Sequence, residues 1–194
     1  MKEIIYNLDL DLFYFINQGL RNDFFDIIMP FLRAKYTWIP LYAVILYFIF
    51  KKYKTKGFII TGFAIITILI SDQLSSSLIK PFFERARPCN NYYFEDWINL
   101  PIGKGSGWSF VSSHASNHFA LAFYFSYFLG GFRGKLYIAL IFFVWASLIS
   151  FAQVYIGFHY PVDVFCGALL GISIAFFVIK ICLKILKILK IIYN

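Results

Sequence analysis

Residues 57–79 read GFIITGFAIITILISDQLSSSLI. A helix needs about 20 predominantly apolar residues to cross the hydrocarbon core of a bilayer, and this run is long enough by itself. Working outward, Thr37–Phe50 is a shorter candidate that depends on Lys35 and Lys51 snorkelling from its ends. Three more candidates follow at His114–Gly130, Lys135–Ile156 and Val162–Leu183. With 60% hydrophobic residues in 194, the chain is too apolar for a soluble domain and of a length for one domain. The expected fold is an all-α, integral-membrane helical bundle of about five transmembrane helices, with no internal repeat and no low-complexity linker.

The bundle should occupy residues 35–183, with an outer loop at 88–111 and a basic amphipathic tail at 184–194. Residues 1–34 precede it. Asp9 and Asp11 interrupt the apolar start, which argues against a secretory signal. Residues 8–32 are too polar to span, yet Leu8, Leu12, Phe15 and Ile16, then Phe24, Phe25 and Ile28, recur at helical spacing. One or two helices lying in the interface, or packed on the rim of the bundle, both fit that pattern.

The net charge of +8 invites a nucleic-acid reading, and its distribution argues against one. Lys51, Lys52, Lys54 and Lys56 fill the first inter-span loop, Arg133 and Lys135 the next on that side, and Lys180, Lys184, Lys187 and Lys190 the end. Alternation across five spans puts all three groups on one face, which the positive-inside rule makes cytoplasmic. The N-terminus is then outside and the C-terminus inside. The tail is either an amphipathic anchor on anionic lipid or a continuation of the last helix. Cys89, Cys166 and Cys182 form no disulfide framework and no zinc pattern.

The same topology collects the remaining polar clusters on the outer face. Lys80, Arg85 and Arg87 follow the outer end of the second span, and Ser112, Ser113 and His114 precede the third. Gln153 and His159 close the fourth, and Asp163 opens the fifth. Lys80 and Arg87 are cations suited to a tetrahedral oxyanion. Ser112 is a plausible N-cap of a helix whose free N–H groups form an anion site. Asp163 stands four residues after His159, where it could fix the imidazole tautomer and leave the other nitrogen free to attack. His114 is available as a general acid. Positioned cations, a nucleophile and a proton donor are what phosphoryl transfer requires.

These residues carry a family resemblance. KPFFERARP (80–88), VSSH (111–114) and AQVYIGFHYPVD (152–163) resemble the three signatures of the type 2 phosphatidic acid phosphatase superfamily, K-x6-R-P, P-S-G-H and S-R-x5-H-x3-D. That superfamily is similar in its helical core to vanadium haloperoxidases and glucose-6-phosphatase. The resemblance implies that Lys80, Arg87, Ser112, the backbone around Ser113 and Gln153 bind phosphate. It makes His114 the acid, His159 the residue that forms a phosphohistidine, and Asp163 its orienting carboxylate. No metal and no cofactor are implied. Val111 and Ser113 depart from the second signature, and Ala152 and Gln153 from the third, where Gln153 brings no charge in place of arginine; Arg85 is a possible compensating cation.

The expected function is a membrane lipid phosphate phosphatase working at the outer leaflet, in a bacterial inner membrane with the site facing the periplasm or exterior. Undecaprenyl diphosphate, lipid A phosphates, phosphatidylglycerol phosphate and phosphatidic acid are the candidate substrates. The missing soluble insert leans toward a compact headgroup. The partners are then a lipid phosphate and the bilayer, with no nucleic acid; nothing fixes an oligomeric state. Rival readings are an inactive relative that binds or transports anionic lipid, and a zinc site built on His114, His118, His159 and Asp163. Asp72, on the same face as Lys80, reads as structural. The segment from Cys89 to Phe110 reads as an aromatic lid, with its second half loosened by Gly103, Gly105 and Gly107 and with Lys104 recruiting anionic substrate, or equally as an ordinary outer loop with aromatic anchors.

Overall fold

The computed structural model describes residues 2–130 and 136–188, and among these residues the chain is helical with no strand. Two N-terminal helices, α1 (Lys2–Tyr14) and α2 (Asp23–Arg33), precede α3 (Ile39–Tyr53), α4 (Lys56–Asp72) and the short α5 (Lys80–Phe83). After the outer loop come α6 (Ser113–Phe125), α7 (Leu136–Tyr155) and α8 (Pro161–Ile188). π-helical turns extend α1 over Phe15–Gly19, join α4 to α5 over Gln73–Ile79, and extend α6 over Ser126–Gly130.

Helices stand at all five expected spans. Three stretches, Lys56–Phe94, Leu136–Tyr155 and Pro161–Ile188, are long and apolar enough to cross a membrane. α3, at 15 residues, and α6, at 13, are shorter. For α6 the physical reason is its position. It packs against α4, α7 and α8 and is shielded by them, so it can carry Ser113, His114, Ser116, Asn117 and His118 without presenting them to lipid.

The tightest contact is between α6 and α8. A Cβ on Gly171 would lie 2.0 Å from the Ser116 carbonyl oxygen, and one on Gly167 would lie 2.6 Å from that of Ser112. These two glycines form a G-x-x-x-G spacing that lets two backbones touch where no aqueous hydrophobic effect drives helices together. Hydroxyls stitch α4 to the other side of α6: Ser71 Oγ is 2.7 Å from Ser116 Oγ, and Ser75 Oγ donates to Ser113 Oγ at 2.9 Å. Asp72 is structural, accepting a hydrogen bond from Asn117 Nδ2 at 3.1 Å. At the far end, Lys52 Nζ and Tyr53 Oη donate to the Phe128 carbonyl at 2.8 and 2.6 Å, so the last turn of α3 clasps the π turn that extends α6.

α1 and α2 follow the rim-packing pattern and keep an apolar outer face. Phe13 is buried against Phe94, Trp97 and Tyr160, while Ile4, Ile5, Leu8 and Leu12 are exposed. α2 buries Met29 and exposes Phe24, Ile27 and Phe31. Asn22 caps it, accepting from the Phe25 N–H at 2.9 Å. Lys180, Lys184 and Lys187 lie exposed on α8, which continues unbroken through Ile188. Arg133, Lys135, Lys190 and the rest of the tail beyond residue 188 lie outside the described residues.

The outer loop differs from the flexible lid read in the sequence. Asn17 is fully buried and holds it, donating to the Asn99 and Tyr155 carbonyls at 2.9 and 2.6 Å and accepting from the Asn99 N–H at 2.9 Å. Gly105 lies where a Cβ would meet the Phe158 ring at 2.8 Å, so this glycine serves close packing. Lys104 is paired with Glu95 at 2.8 Å.

Replacing Gly171 by alanine should push α6 and α8 apart, costing about 1–3 kcal/mol or more because the obstacle is backbone. Gly62→Ala, where nothing lies within 4 Å of the added methyl, should leave the apparent Tm in detergent unchanged or raise it.

Candidate active site

Four helix ends meet at the end of the bundle opposite the Lys52–Phe128 clasp. The first is the π turn after α4, which widens the helix before Lys80 begins α5; π turns of this kind recur at functional sites. Lys80 Nζ donates to the Trp108 carbonyl at 2.9 Å, and Arg87 Nε donates to the Gly107 carbonyl at 3.2 Å. The two expected phosphate cations therefore also anchor the last residues of the outer loop.

The second is the start of α6, entered through a cis Phe110–Val111 peptide. Ser112 is the N-cap, its hydroxyl accepting from the Ala115 N–H at 3.4 Å. The first N–H groups of the helix are left without intrahelical partners, and Ser113 and His114 line the cavity in front of them. The third is the end of α7. Gln153 is fully buried, and its Nε2 and Oε1 both lack a hydrogen-bond partner. Gly157, at φ +78°, then reverses the chain and presents His159.

The fourth is the start of α8. Tyr160 stands at the N-cap, Pro161 in the first turn, and Asp163 three residues beyond the cap reaches back to accept from the Tyr160 N–H at 2.9 Å. This is the reach of the acid in a capping box. Asp163 thus starts the helix and serves His159 with the same carboxylate. Its Oδ2 lies 3.6 Å from His159 Nδ1, too far for a direct hydrogen bond. Ser109 fills the gap: its Oγ donates to Asp163 Oδ2 and lies 3.4 Å from His159 Nδ1. With its one proton spent on the carboxylate, that hydroxyl can only accept from the imidazole. The network therefore assigns the proton to Nδ1 and leaves the Nε2 lone pair free. Burial pulls the His159 pKa down to about 4, so the ring is neutral at physiological pH.

Lys80, Arg87, Ser113, His114, Gln153 and His159 line one cavity of about 380 Å³. Two expected residues do not line it. Ser112 is buried beneath the helix start as a cap, and Asp163 is buried behind His159. Arg85 does not stand in for the charge missing at Gln153, because it points away from the cavity. It bridges Asp163 Oδ1 at 2.5 Å and Asp9 Oδ2 at 2.6 Å, with its guanidinium 3.9 Å from the centre of the Tyr160 ring. Asp9 in turn accepts from the Val162 N–H at 2.8 Å, capping α8 from α1. His118 does not join a metal cluster. Its Nδ1 donates to the His114 carbonyl at 2.7 Å and its ring packs edge-on to Trp145. Among the described residues no group of three or more His, Cys, Asp or Glu is placed to hold a metal ion. Sequence reasoning missed Ser109, Asp9 and Arg33, the last of which also lines the cavity.

Known proteins resemble the chain over most of its length. Residues 59–186 match the PAP2 superfamily. A lipid A 4'-phosphatase of Porphyromonas gingivalis is 35% identical over 183 residues, covering 93% of this chain and 75% of that protein. A lipid A 4'-phosphatase of Bacteroides thetaiotaomicron is 34% identical over 174 residues, covering 88% and 75%. The crystal structure of Aquifex aeolicus LpxE superposes with a TM-score of 0.64 at 30% identity, covering 89% of this chain and 95% of that one. A transmembrane PAP2-type phosphatidylglycerolphosphate phosphatase from Bacillus subtilis superposes with a TM-score of 0.67 at 23% identity, covering 94% and 88%, which is a likeness of fold.

Histidine-selective NMR of the unliganded protein should find His159 titrating near pH 4 in place of the usual value near 6.5. Asp163→Asn removes the carboxylate that favours the imidazolium, so the midpoint should fall further.

Proposed function

The chain belongs to the PAP2 superfamily and is a membrane lipid phosphatase, and we propose that it removes a phosphate from lipid A at the outer leaflet through a phosphohistidine. The observation that carries the mechanism is one cavity lined by two histidines, two cations and a helix start. His159, neutral and held by Ser109 and Asp163, supplies the nucleophilic Nε2. Lys80 and Arg87 neutralise the non-bridging oxygens. The first N–H groups of α6 and the Gln153 amide donate to the same oxygens. A buried donor without a partner costs about 1–3 kcal/mol, and a bound phosphate would satisfy the Gln153 Nε2 donor.

In the first step Nε2 attacks phosphorus in line, the P–N bond forms, and the P–O bond to the lipid breaks. His114 gives its proton to the departing oxygen. In the second step His114 takes a proton from water, the resulting hydroxide oxygen attacks phosphorus, and inorganic phosphate leaves with the His159 lone pair restored. Charge stabilisation falls to fixed cations and backbone dipoles, so no metal ion enters either step.

The substrate assignment follows the relatives, both lipid A 4'-phosphatases, and sets aside the compact-headgroup lean of the sequence. The leaflet follows from charge. The basic turn Lys51–Lys56 lies at the end opposite the cavity, and the positive-inside rule keeps it in the cytoplasm of a bacterial inner membrane. Phe82, Tyr92 and Tyr93 are more than three-quarters exposed at the cavity end, where aromatic rings suit the headgroup level.

Phosphate release from purified protein in detergent, with chelator present, should be fastest on lipid A among lipid A, undecaprenyl diphosphate, phosphatidylglycerol phosphate and phosphatidic acid. His159→Ala should lower it by roughly 10³-fold or more. Activity lost to the chelator, or kept in the mutant, rejects the mechanism; preference for another lipid rejects the substrate.

A further inference from the structure

Arg33 comes from outside the three signatures. It ends α2, the N-terminal helix that packs on α7, and α7 carries Gln153. Arg33 and Gln153 line the same cavity from these neighbouring helices. The Arg33 guanidinium carbon lies 4.6 Å from the centre of the Phe158 ring, and that of Arg87 lies 5.2 Å from the same ring. Phe158 directly precedes His159, so two guanidiniums share a ring one residue from the nucleophile.

Neither the position nor the environment of Arg33 suits a purely structural cation. It enters none of the ion pairs among the described residues, and its Nε is buried with no hydrogen-bond partner. Burial and the neighbouring Arg87 charge both push its pKa down, the environment of a cation placed without its anion. A guanidinium stays protonated in such a place and demands a counter-charge. Gln153, which lines the same cavity, is equally unsatisfied and has no charge to offer a dianion. Two buried donors, Arg33 Nε and Gln153 Nε2, therefore await the same occupant.

We propose that Arg33 is a phosphate-binding residue that supplies, from α2, the positive charge on the scissile phosphate that Gln153 does not supply from α7. The inference rests on the phosphatase reading above. The site then carries three cations, Lys80, Arg87 and Arg33, for a group that arrives with two negative charges. An arginine in α2 and a glutamine in α7 together do the work of one arginine in α7. The pairing also ties the N-terminal helices to substrate binding.

The test uses the full chain and orthovanadate as a phosphate mimic, with binding followed by calorimetry beside lipid A turnover. Arg33→Gln should weaken vanadate binding and lower kcat/KM by roughly 10- to 100-fold, the range for a lost hydrogen bond to a charged group. Arg33→Lys, which keeps the charge without the fork, should fall between. Adding Gln153→Arg to Arg33→Gln should restore most of both losses by moving the charge across the cavity. The apparent Tm separates a folding defect from a binding one, and the lysine variant keeps the comparison open if Arg33→Gln proves unstable. Unchanged vanadate affinity in both Arg33 variants, with the wild type binding normally, overturns the role of Arg33 alone. Loss in Arg33→Gln at an unchanged Tm, with no recovery in the double variant, overturns the charge exchange with Gln153. Absence of vanadate binding and turnover in the wild type overturns the phosphatase reading and this inference together.

Discussion

Everything at the site hangs on how closely α6 and α8 approach. Gly167 and Gly171 let the two backbones touch along one face, and the Ser112 N–H then donates to the Asp163 carbonyl at 3.0 Å. That bond joins the starts of both helices. One start carries His114 and the first N–H groups of α6, beside the cavity; the other carries Asp163, which holds His159 through Ser109. The residues that would act on phosphorus are placed by rigid helix ends, and such elements hold a constellation better than loops do.

Around this seam charge is sorted by side. In front of His159 stand cations, Lys80 and Arg87 at 80 and 87, with Arg33 beside them. Behind it stand two buried carboxylates, Asp163 and Asp9, bridged by Arg85. A buried carboxylate without a partner would be expensive, and each of these has a guanidinium contact and a backbone N–H. The outer loop belongs to the same design. Lys80 and Arg87 hold the Trp108 and Gly107 carbonyls, and Ser109, the next residue, is thereby set between His159 and Asp163.

Much of this was legible in the sequence because it depends on local pattern. The apolar runs located five helices, alternation sorted their ends, Ser112 marked a helix start, and the signature residues fell on one face. The missing pieces lack a local signal. Arg33 at the end of a helix belongs to no signature, and Asp9 reads as a polar interruption of an amphipathic stretch. Ser109 is one serine in a glycine-rich loop, and the direction of Arg85 is a tertiary fact. The outer loop looked loose because glycine spacing is visible in a sequence and a buried Asn17–Asn99 pair, 82 residues apart, is not. The Gly167–Gly171 spacing is the exception, a signal that was present and went unread.

Asp9 lies in α1, whose outward side is Ile4, Ile5, Leu8 and Leu12. α1 contributes no atom to the cavity, yet it supplies the carboxylate that steadies Arg85 and caps the Val162 N–H. Peeling this helix away leaves Arg85 with one carboxylate and α8 with an open first turn, directly behind His159. For anyone handling the protein, the amino end is the wrong place for a bulky purification tag. A detergent that solvates Leu8 and Leu12 better than the bundle holds Phe13 would inactivate the protein while leaving its transmembrane helices intact.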